Sequence, residues 1–178
     1  MGYKLSTLQT LHNLEQAYIL DLGRVSSNRN TEYLSLARMI AHKTYISLEL
    51  LSNRAKSETL YDDGLIKGFL STPQESYMMH QGEKFIERFT PESYLSIIKG
   101  WQNFKIEQED LNKLKDIETL VISVDSDVCF YPEEQKEFLE ILNNHEIRTT
   151  YTTINSTKGH DSFLLEPELF EDTLKNFL

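Results

Sequence analysis

Two short polar loops hold the side chains best suited to acid–base chemistry. Asp125–Asp127 directly follows the apolar run LVISV, and Gly159–Asp161 follows the β-branched run RTTYTTI. A carboxylate bound to one imidazole nitrogen fixes the tautomer of the ring, and the other nitrogen can then deprotonate a hydroxyl nucleophile. The sequence therefore offers an Asp–His pair for nucleophilic catalysis. Two simpler interpretations stay open, since Asp127 could cap the following helix and His160 could be a solvated turn residue.

A predicted β–α–β unit positions the two loops. Residues 120–124 form an apolar, β-branched run that is typical of a strand covered on both faces, and residues 148–154 form the second strand. Pro132 begins the helix between the strands, and Pro167 begins a final amphipathic helix. A crossover of this kind makes the strands parallel, so both loops leave the same edge of the sheet. Ligands bind at that edge in open parallel sheets.

The part of the chain before Gln108 has a helical pattern instead. Its first predicted helix has apolar side chains at spacings of three and four residues, which indicates one face of an amphipathic helix. These side chains are Leu8, Leu11, Leu14, Tyr18, Ile19 and Leu22. Further helices are predicted from Glu32, capped by Thr31, to about Ser52, from Pro73 to Phe89, and from Pro91, capped by Thr90, to about Gly100. The predicted fold class is α/β.

The predicted sheet has too few strands to be stable by itself. An apolar strand such as LVISV needs neighbours and cover on both faces, and a two-stranded parallel sheet does not provide them. The sequence indicates no further strand. Either the helical region covers this small sheet in an unusual way, or the chain came from a longer one.

Composition and charge exclude several classes of protein. Of the 178 residues, 39% are hydrophobic and 26% are charged, which is typical of a soluble globular domain and not of a disordered chain. A net charge of -10 opposes binding to nucleic acid. No apolar run approaches the roughly 20 residues that cross a bilayer, so no membrane partner is expected. The single cysteine, Cys129, rules out an internal disulfide, and with no signal peptide it predicts a cytoplasmic protein.

Four blocks of the sequence resemble the homoserine O-acetyltransferase family, in the family's order and over nearly the whole chain. They are LSLARMIAHKTYISLELL, YMMHQGEKFIERFTPESYLSIIKG, VDSDVCFYPEEQKEF and STKGHDSFLLEPELF. The third block resembles the pattern around the family's triad aspartate, and the fourth resembles the pattern around its triad histidine. The resemblance implies a partial α/β-hydrolase fold. Residues 1–107 would be the helical lid region, and residues 108–178 would be the C-terminal βαβα segment with the last two parallel strands and their helices.

The resemblance also implies a role for five residues. Asp127 matches the triad acid, and His160 matches the general base. Arg38 matches the arginine that pairs with the homoserine carboxylate, and Asp161 matches the acidic residue that holds the amino group. Tyr45 lies two helical turns beyond Arg38 and would line the same pocket. Simpler interpretations remain: Arg38 in a surface ion pair, Tyr45 as a core aromatic residue, and Asp161 as a turn cap.

The sequence departs from the family pattern in several places. Tyr33 stands at a usual glycine, Ile46 at a common arginine and Ser162 at a usual alanine, and Lys43 interrupts an apolar stretch. These changes concern the packing of the lid more than the triad.

The family's nucleophile elbow, Gly-x-Ser-x-Gly, is absent from the sequence. In the family this motif precedes the lid, so we expect the chain to supply the triad Asp and His but not the serine. Cys129, the only thiol, is interpreted as a small buried hydrophobic residue. The histidines show no metal-ligand spacing, and we expect neither a metal nor a bound cofactor.

The implied function is that of the C-terminal part of a homoserine O-acetyltransferase. Completed by an N-terminal half, it would transfer the acetyl group of acetyl-CoA to the homoserine hydroxyl in methionine biosynthesis. The resemblance also implies a homodimer through the lid helices. Succinyl transfer is a close variant. The alternatives are a catalytically inactive remnant or dimerisation module of the same family, and an unrelated hydrolase with the same layout.

Overall fold

The computed structural model describes residues 3–25, 30–54 and 72–178. These residues fall into two compact units. The helical unit holds the described residues of 7–43 and 48–102, and the sheet unit holds residues 3–6, Thr44–Ser47 and Asn103–Leu178. The division of the chain after residue 107 stays a prediction. The sequence pattern gives no reason to expect that Thr44–Ser47 belongs to the sheet unit.

The helical unit contains five helices in its described part. They are α1 (Thr7–Val25), α2 (Asn30–His42), α3 (Leu48–Arg54), α4 (Pro73–Ile86) and α5 (Pro91–Gln102). Helix α1 packs against α2 and α5, and α2 also packs against α4. Helix α4 begins where the sequence predicts, because Thr72 and Glu75 form a reciprocal capping box and Pro73 occupies its first turn.

The core of the helical unit depends on a close approach of two helices. Leu20, Leu34, Phe85 and their neighbours form one buried apolar cluster. A Cβ atom added to Gly82 of α4 would lie 2.1 Å from the hydroxyl oxygen of Ser35 on α2. Only glycine allows the two backbones to come this close, so this glycine sets the α2–α4 contact.

One helix predicted from the sequence is interrupted in the structure. The pattern predicts a continuous helix from Glu32 to about Ser52, whereas α2 ends at His42 and α3 begins at Leu48. The segment between them uses its backbone groups elsewhere. The carbonyl of Tyr45 accepts the N–H of Asp161 at 2.8 Å, and the N–H of Ser47 donates to the Lys158 carbonyl at 3.4 Å. These tertiary hydrogen bonds replace helical ones, which local propensity does not predict.

Helix α1 exposes its apolar stripe. Its buried positions carry Gln9, Asn13 and Gln16 together with Leu20 and Gly23. The apolar stripe on the opposite face is solvent-accessible: Leu8, Leu11, Leu14, Tyr18, Leu22 and Val25. One of these buried amides, Gln16, accepts a hydrogen bond from the Tyr94 hydroxyl at 2.5 Å inside the unit. An amphipathic helix normally turns its apolar stripe to the core, and α1 does the reverse.

The sheet unit is built around two parallel strands, β1 (Thr119–Val124) and β2 (Thr149–Ile154). The described helices around them are α6 (Gln108–Lys113), α7 (Pro132–Asn144), α8 (Ser162–Leu165) and α9 (Glu168–Phe177). Helix α7 connects the strands and packs on both. Leu111, Val121, Phe138, Leu142 and Ile147 form the core of the unit. The two strands, the connecting helix and the final helix lie where the sequence predicts them.

No helix in the described residues is both long and apolar enough to cross a membrane.

Candidate active site

Asp127 is the buried acceptor at the end of β1. Its N–H donates to the carbonyl of Val124 at 3.1 Å, which closes the turn after the strand. One carboxylate oxygen, Oδ1, accepts the N–H groups of Cys129 at 2.7 Å and Phe130 at 2.9 Å. The other oxygen, Oδ2, lies 2.8 Å from Nδ1 of His160. Both carboxylate oxygens of Asp127 therefore accept hydrogen bonds, and Oδ2 faces the imidazole.

His160 lies in a 3-10 turn, Gly159–Asp161, beyond β2. The turn depends on Gly159, whose φ of 74° lies in the left-handed region that other residues rarely adopt. The imidazole lies among the rings of Phe130 at 5.2 Å, Phe163 at 5.9 Å and Tyr45 at 6.4 Å between centroids.

The His160 ring is oriented but accessible. Its side chain is 30% exposed, and within the described sheet unit Nδ1 is the ring nitrogen that forms a hydrogen bond. Because Asp127 accepts at Nδ1, the neutral ring carries its proton there and Nε2 keeps its lone pair. This nitrogen is the one that can remove a proton from a substrate or nucleophile.

The pair borders a cavity of about 280 Å³ inside the sheet unit. Besides Asp127 and His160, its lining includes the aromatic side chains Phe130, Phe163 and Phe170. An apolar wall around a polar pair strengthens the electrostatic interaction between its members. The sequence blocks contain these phenylalanines, but nothing in their spacing shows that they meet at one cavity.

Two other predicted site residues belong to the same unit. The backbone of Tyr45 binds the turn that carries His160, since its carbonyl accepts the N–H of Asp161 at 2.8 Å. Asp161 is adjacent to His160 and half-buried. The structure therefore brings Asp127, His160, Tyr45 and Asp161 into one cluster, although Tyr45 is separated from His160 by more than a hundred residues in sequence.

Arg38, the remaining predicted site residue, lies on α2 in the helical unit. Its guanidinium group stacks on Phe85 of α4, 5.0 Å from the ring centroid. One turn further along α2, Nε2 of His42 lies 3.1 Å from the Tyr77 hydroxyl. Burial, with the nearby charges of Arg38 and Arg54, lowers the pKa of His42 to about 4. The imidazole is therefore neutral near pH 7 and adds no charge beside Arg38.

Cys129 is not an activated thiol. It is 3% exposed, and burial, followed by the Asp127 carboxylate, raises its pKa to about 12. A thiol with this pKa has almost no thiolate at neutral pH. Its structural contribution is the backbone N–H that it donates to Asp127.

The sequence is similar to curated homoserine O-acyltransferases. It is 35% identical to the homoserine O-acetyltransferase of Pelagibacter ubique, with 94% of this chain and 51% of that protein covered. It is 36% identical to the enzyme of the same name from Methanobrevibacter ruminantium, with 82% and 31% covered. The chain belongs to the homoserine O-acetyltransferase family. It is also 36% identical to a homoserine O-succinyltransferase of Magnetococcus marinus, with 90% and 42% covered. No protein-family model matches the chain.

The solved structures confirm the fold class. A homoserine O-acetyltransferase from Bacillus anthracis superposes with a TM-score of 0.84 and 14% identity, over 99% of this chain and 50% of that one. The esterase E22 superposes with a TM-score of 0.83 and 14% identity, over 99% and 52%. This homoserine O-acetyltransferase-family chain thus has a partial α/β-hydrolase fold, and it spans about a third to a half of the length of the relatives named here.

No group of three or more potential metal ligands among His, Cys, Asp and Glu occurs in residues 3–25, 30–54 and 72–178 of this family member.

Proposed function

We propose that this chain is the acid–base part of a homoserine O-acetyltransferase, with Asp127 and His160 as catalytic residues. One observation carries the proposal. The buried Asp127 carboxylate binds Nδ1 of His160 at 2.8 Å while two backbone N–H groups hold its other oxygen. This arrangement orients the imidazole for proton transfer at Nε2, as acyl transfer through a serine requires.

The proposed reaction has two proton cycles at Nε2 of His160. In the first, Nε2 takes the proton of a serine hydroxyl as that oxygen attacks the thioester carbonyl of acetyl-CoA, and it then returns the proton to the departing thiolate of CoA. In the second, Nε2 takes the proton of the homoserine hydroxyl, which attacks the acetyl-serine ester. The proton then goes to the released serine oxygen. Asp127 stabilises the imidazolium in both cycles.

Three residues are proposed to bind homoserine. The guanidinium of Arg38 would pair with the substrate carboxylate, which suits a planar bidentate donor. Asp161 would hold the substrate amino group, and the ring of Tyr45 would lie beside the substrate near His160. The position of Asp161 next to His160, and the Tyr45 ring 6.4 Å from the imidazole, support these roles.

We propose that the serine comes from a polypeptide segment outside these 178 residues. The sequence has no Gly-x-Ser-x-Gly motif, and the chain covers 51% or less of the relatives named above. The sheet unit also has surfaces that such a segment would cover. Within the described residues β1 pairs with a strand on one side only, and α9 leaves Leu169 and Leu174 exposed. A parallel strand added beside β1 would satisfy its unpaired edge.

The lid helices are proposed to form a homodimer, with the apolar stripe of α1 as the contact surface. The stripe runs along the whole of a 19-residue helix, and Leu14 and Tyr18 at its centre are 61% and 64% exposed. A contiguous apolar face of this length marks an interaction surface. A second copy of the chain presents the same stripe, so a two-fold contact would bury both stripes together.

Reconstitution tests the catalytic proposal. The chain is mixed with an N-terminal half taken from the Pelagibacter ubique relative, and O-acetylhomoserine is measured by mass spectrometry with acetyl-CoA and homoserine as substrates. We expect product from the mixture, none from the chain alone, and a loss of activity with Asp127→Asn or His160→Gln. Asp116→Asn, at an exposed position of the same unit, is the matched control.

Each result has a defined meaning. Product from the chain alone would refute the proposal that the nucleophile lies elsewhere. If a half that is active with its own C-terminal part gives no product with this chain, the alternative of an inactive remnant or dimerisation module replaces our proposal. The exposed α1 stripe favours that alternative, because an interaction surface does not require catalytic activity. Succinyl-CoA in parallel reactions decides the acyl donor, because a relative of equal identity is a succinyltransferase.

A further inference from the structure

The loop that carries His160 forms several hydrogen bonds with groups outside it. The β1–β2 ladder ends where the Asp125 N–H donates to the Ile154 carbonyl at 3.1 Å. Beyond that point the three successive carbonyls of residues 156–158 accept hydrogen bonds from other segments. Two serine hydroxyls, one on each of two separate segments, provide two of these bonds.

Ser126 connects the aspartate loop to the histidine loop. Its hydroxyl donates to the Ser156 carbonyl at 2.5 Å and accepts the N–H of Gly159 at 3.0 Å. The preceding side chain, Asp125, accepts the N–H of Ser156 at 3.0 Å. The residue before the proposed acid therefore binds the residue before the proposed base. The Ser126 hydroxyl and the Asp125 carboxylate therefore join the two loops beside the Asp127–His160 pair.

Ser47 binds the same loop from a segment distant in sequence. Its hydroxyl donates to the Thr157 carbonyl, and its backbone N–H donates to the Lys158 carbonyl at 3.4 Å. The fit is tight, because a Cβ atom on Gly159 would lie 2.6 Å from the Ser47 nitrogen. Two residues before Ser47, the carbonyl of Tyr45 binds the Asp161 N–H on the far side of the histidine.

We propose that Ser126 and Ser47 are positioning residues that hold the 156–161 loop so that His160 Nδ1 stays on Asp127. The proposal rests on the role of His160 given above. A hydrogen bond of 2.8 Å weakens steeply when its atoms separate or its angle bends. Both serines bind backbone groups of the loop, so the proposed positioning acts through that backbone.

Nuclear magnetic resonance of the whole chain tests the positioning without any assay of activity. Ser126→Ala removes the acceptor of the Gly159 N–H, and we expect the exchange of that amide to become about tenfold faster. The hydrogen-bonded Nδ1 proton of His160, assigned by its loss in His160→Gln, should broaden or disappear. Ser47→Ala should weaken the same proton signal. Ser96→Ala, which removes an exposed hydroxyl bonded within α5, is the matched control and should change neither.

Conservative variants separate positioning from folding. Ser126→Thr keeps the hydroxyl oxygen and should restore both signals, whereas Ser126→Cys fills the site but is a poor acceptor and should not. This pair decides the question even if Ser126→Ala fails to fold. Normal Gly159 exchange and a normal Nδ1 proton in Ser126→Cys would overturn the proposal.

Kinetics of the reconstituted enzyme separate this inference from the proposed function. We expect Ser126→Cys to lower kcat while KM for homoserine stays within about twofold, and Ser126→Thr to recover kcat. If no activity can be reconstituted but the resonances change as expected, the proposed function is refuted. The positioning of His160 by Ser126 is then established by the resonances alone.

Discussion

Replacing Asp127 by asparagine removes a charge from a site where three donors meet. The carboxylate accepts two backbone N–H groups and the imidazole N–H, at 2.7, 2.9 and 2.8 Å. The amide oxygen of asparagine can keep the two backbone bonds, which then lose the strengthening due to the charge. Hydrogen bonds to charged groups contribute about 1 kcal/mol more than neutral ones, so we expect a loss of about 2 kcal/mol in the free energy of unfolding.

The same substitution should reverse the tautomer of His160. With its oxygen on the backbone, asparagine turns its NH₂ group towards Nδ1, and the ring can accept that bond only if its proton moves to Nε2. The nitrogen proposed as the base then has no lone pair. For a triad of this kind we expect kcat of the reconstituted enzyme to fall about 10³- to 10⁴-fold, with a small change in KM for homoserine.

Three measurements test the effects expected of Asp127→Asn. Urea unfolding monitored by circular dichroism gives the change in stability, ¹⁵N chemical shifts of the imidazole give the tautomer, and the reconstitution assay gives kcat. Asp116→Asn controls for the loss of one negative charge. A His160 ring that keeps its Nδ1 proton in Asp127→Asn, with unchanged stability, would show that the carboxylate does not orient the imidazole.

Three further outcomes are expected. Gly159→Ala should destabilise the chain by about 2–4 kcal/mol, because residue 159 has a positive φ and lies close to Ser47. The control Gly100→Ala, in open space on α5, should be neutral or stabilising. The midpoints of urea unfolding measure both effects. Cys129, with a pKa of about 12, should react with a thiol reagent at pH 8 about a thousandfold more slowly in the folded chain than in the unfolded chain. Rapid labelling of the native protein would contradict the burial of this thiol. The pKa of His42 is about 4 in the folded chain and near 6.5 when unfolded, so protonation favours the unfolded state. Stability should therefore fall by up to about 3 kcal/mol as the pH drops from 6.5 to 4, and His42→Gln should flatten that dependence.

The α1 stripe gives a separate prediction about assembly. Leu14→Glu should convert the proposed dimer to monomer in sedimentation experiments, because it places a charge at the centre of the contact. Ile97→Glu, at an exposed apolar position of α5, is the control and should leave the dimer intact. A chain that is monomeric before any substitution would refute the dimer proposal.

Much of the sheet unit could be predicted from local sequence. LVISV predicts β1 because β-branched, apolar residues favour a strand covered on both faces, and Pro132 predicts the start of α7 because proline fits the first turn of a helix. The polar loops after the two strands predict the region of the site. Parallel pairing then requires Asp127 and His160 to leave the same edge.

The helical unit was less predictable, for a physical reason. The periodicity of α1 correctly predicts a helix and an apolar stripe, but periodicity does not say what covers the stripe. The pattern from Glu32 to Ser52 is compatible with one helix, and the break at Thr44–Ser47 arises because Tyr45 and Ser47 bind the His160 loop.

By itself, the amino-acid sequence determined the β–α–β unit, the order of acid and histidine, and the resemblance to one family. These features depend on local propensity and on residues adjacent in the chain. Only the tertiary structure decided that Asp127 Oδ2 meets His160 Nδ1, that Tyr45 and Ser47 bind the histidine loop, and that the α1 stripe is exposed. Such contacts join residues tens to more than a hundred positions apart, and spacing along the sequence carries no information about which distant backbone groups will meet.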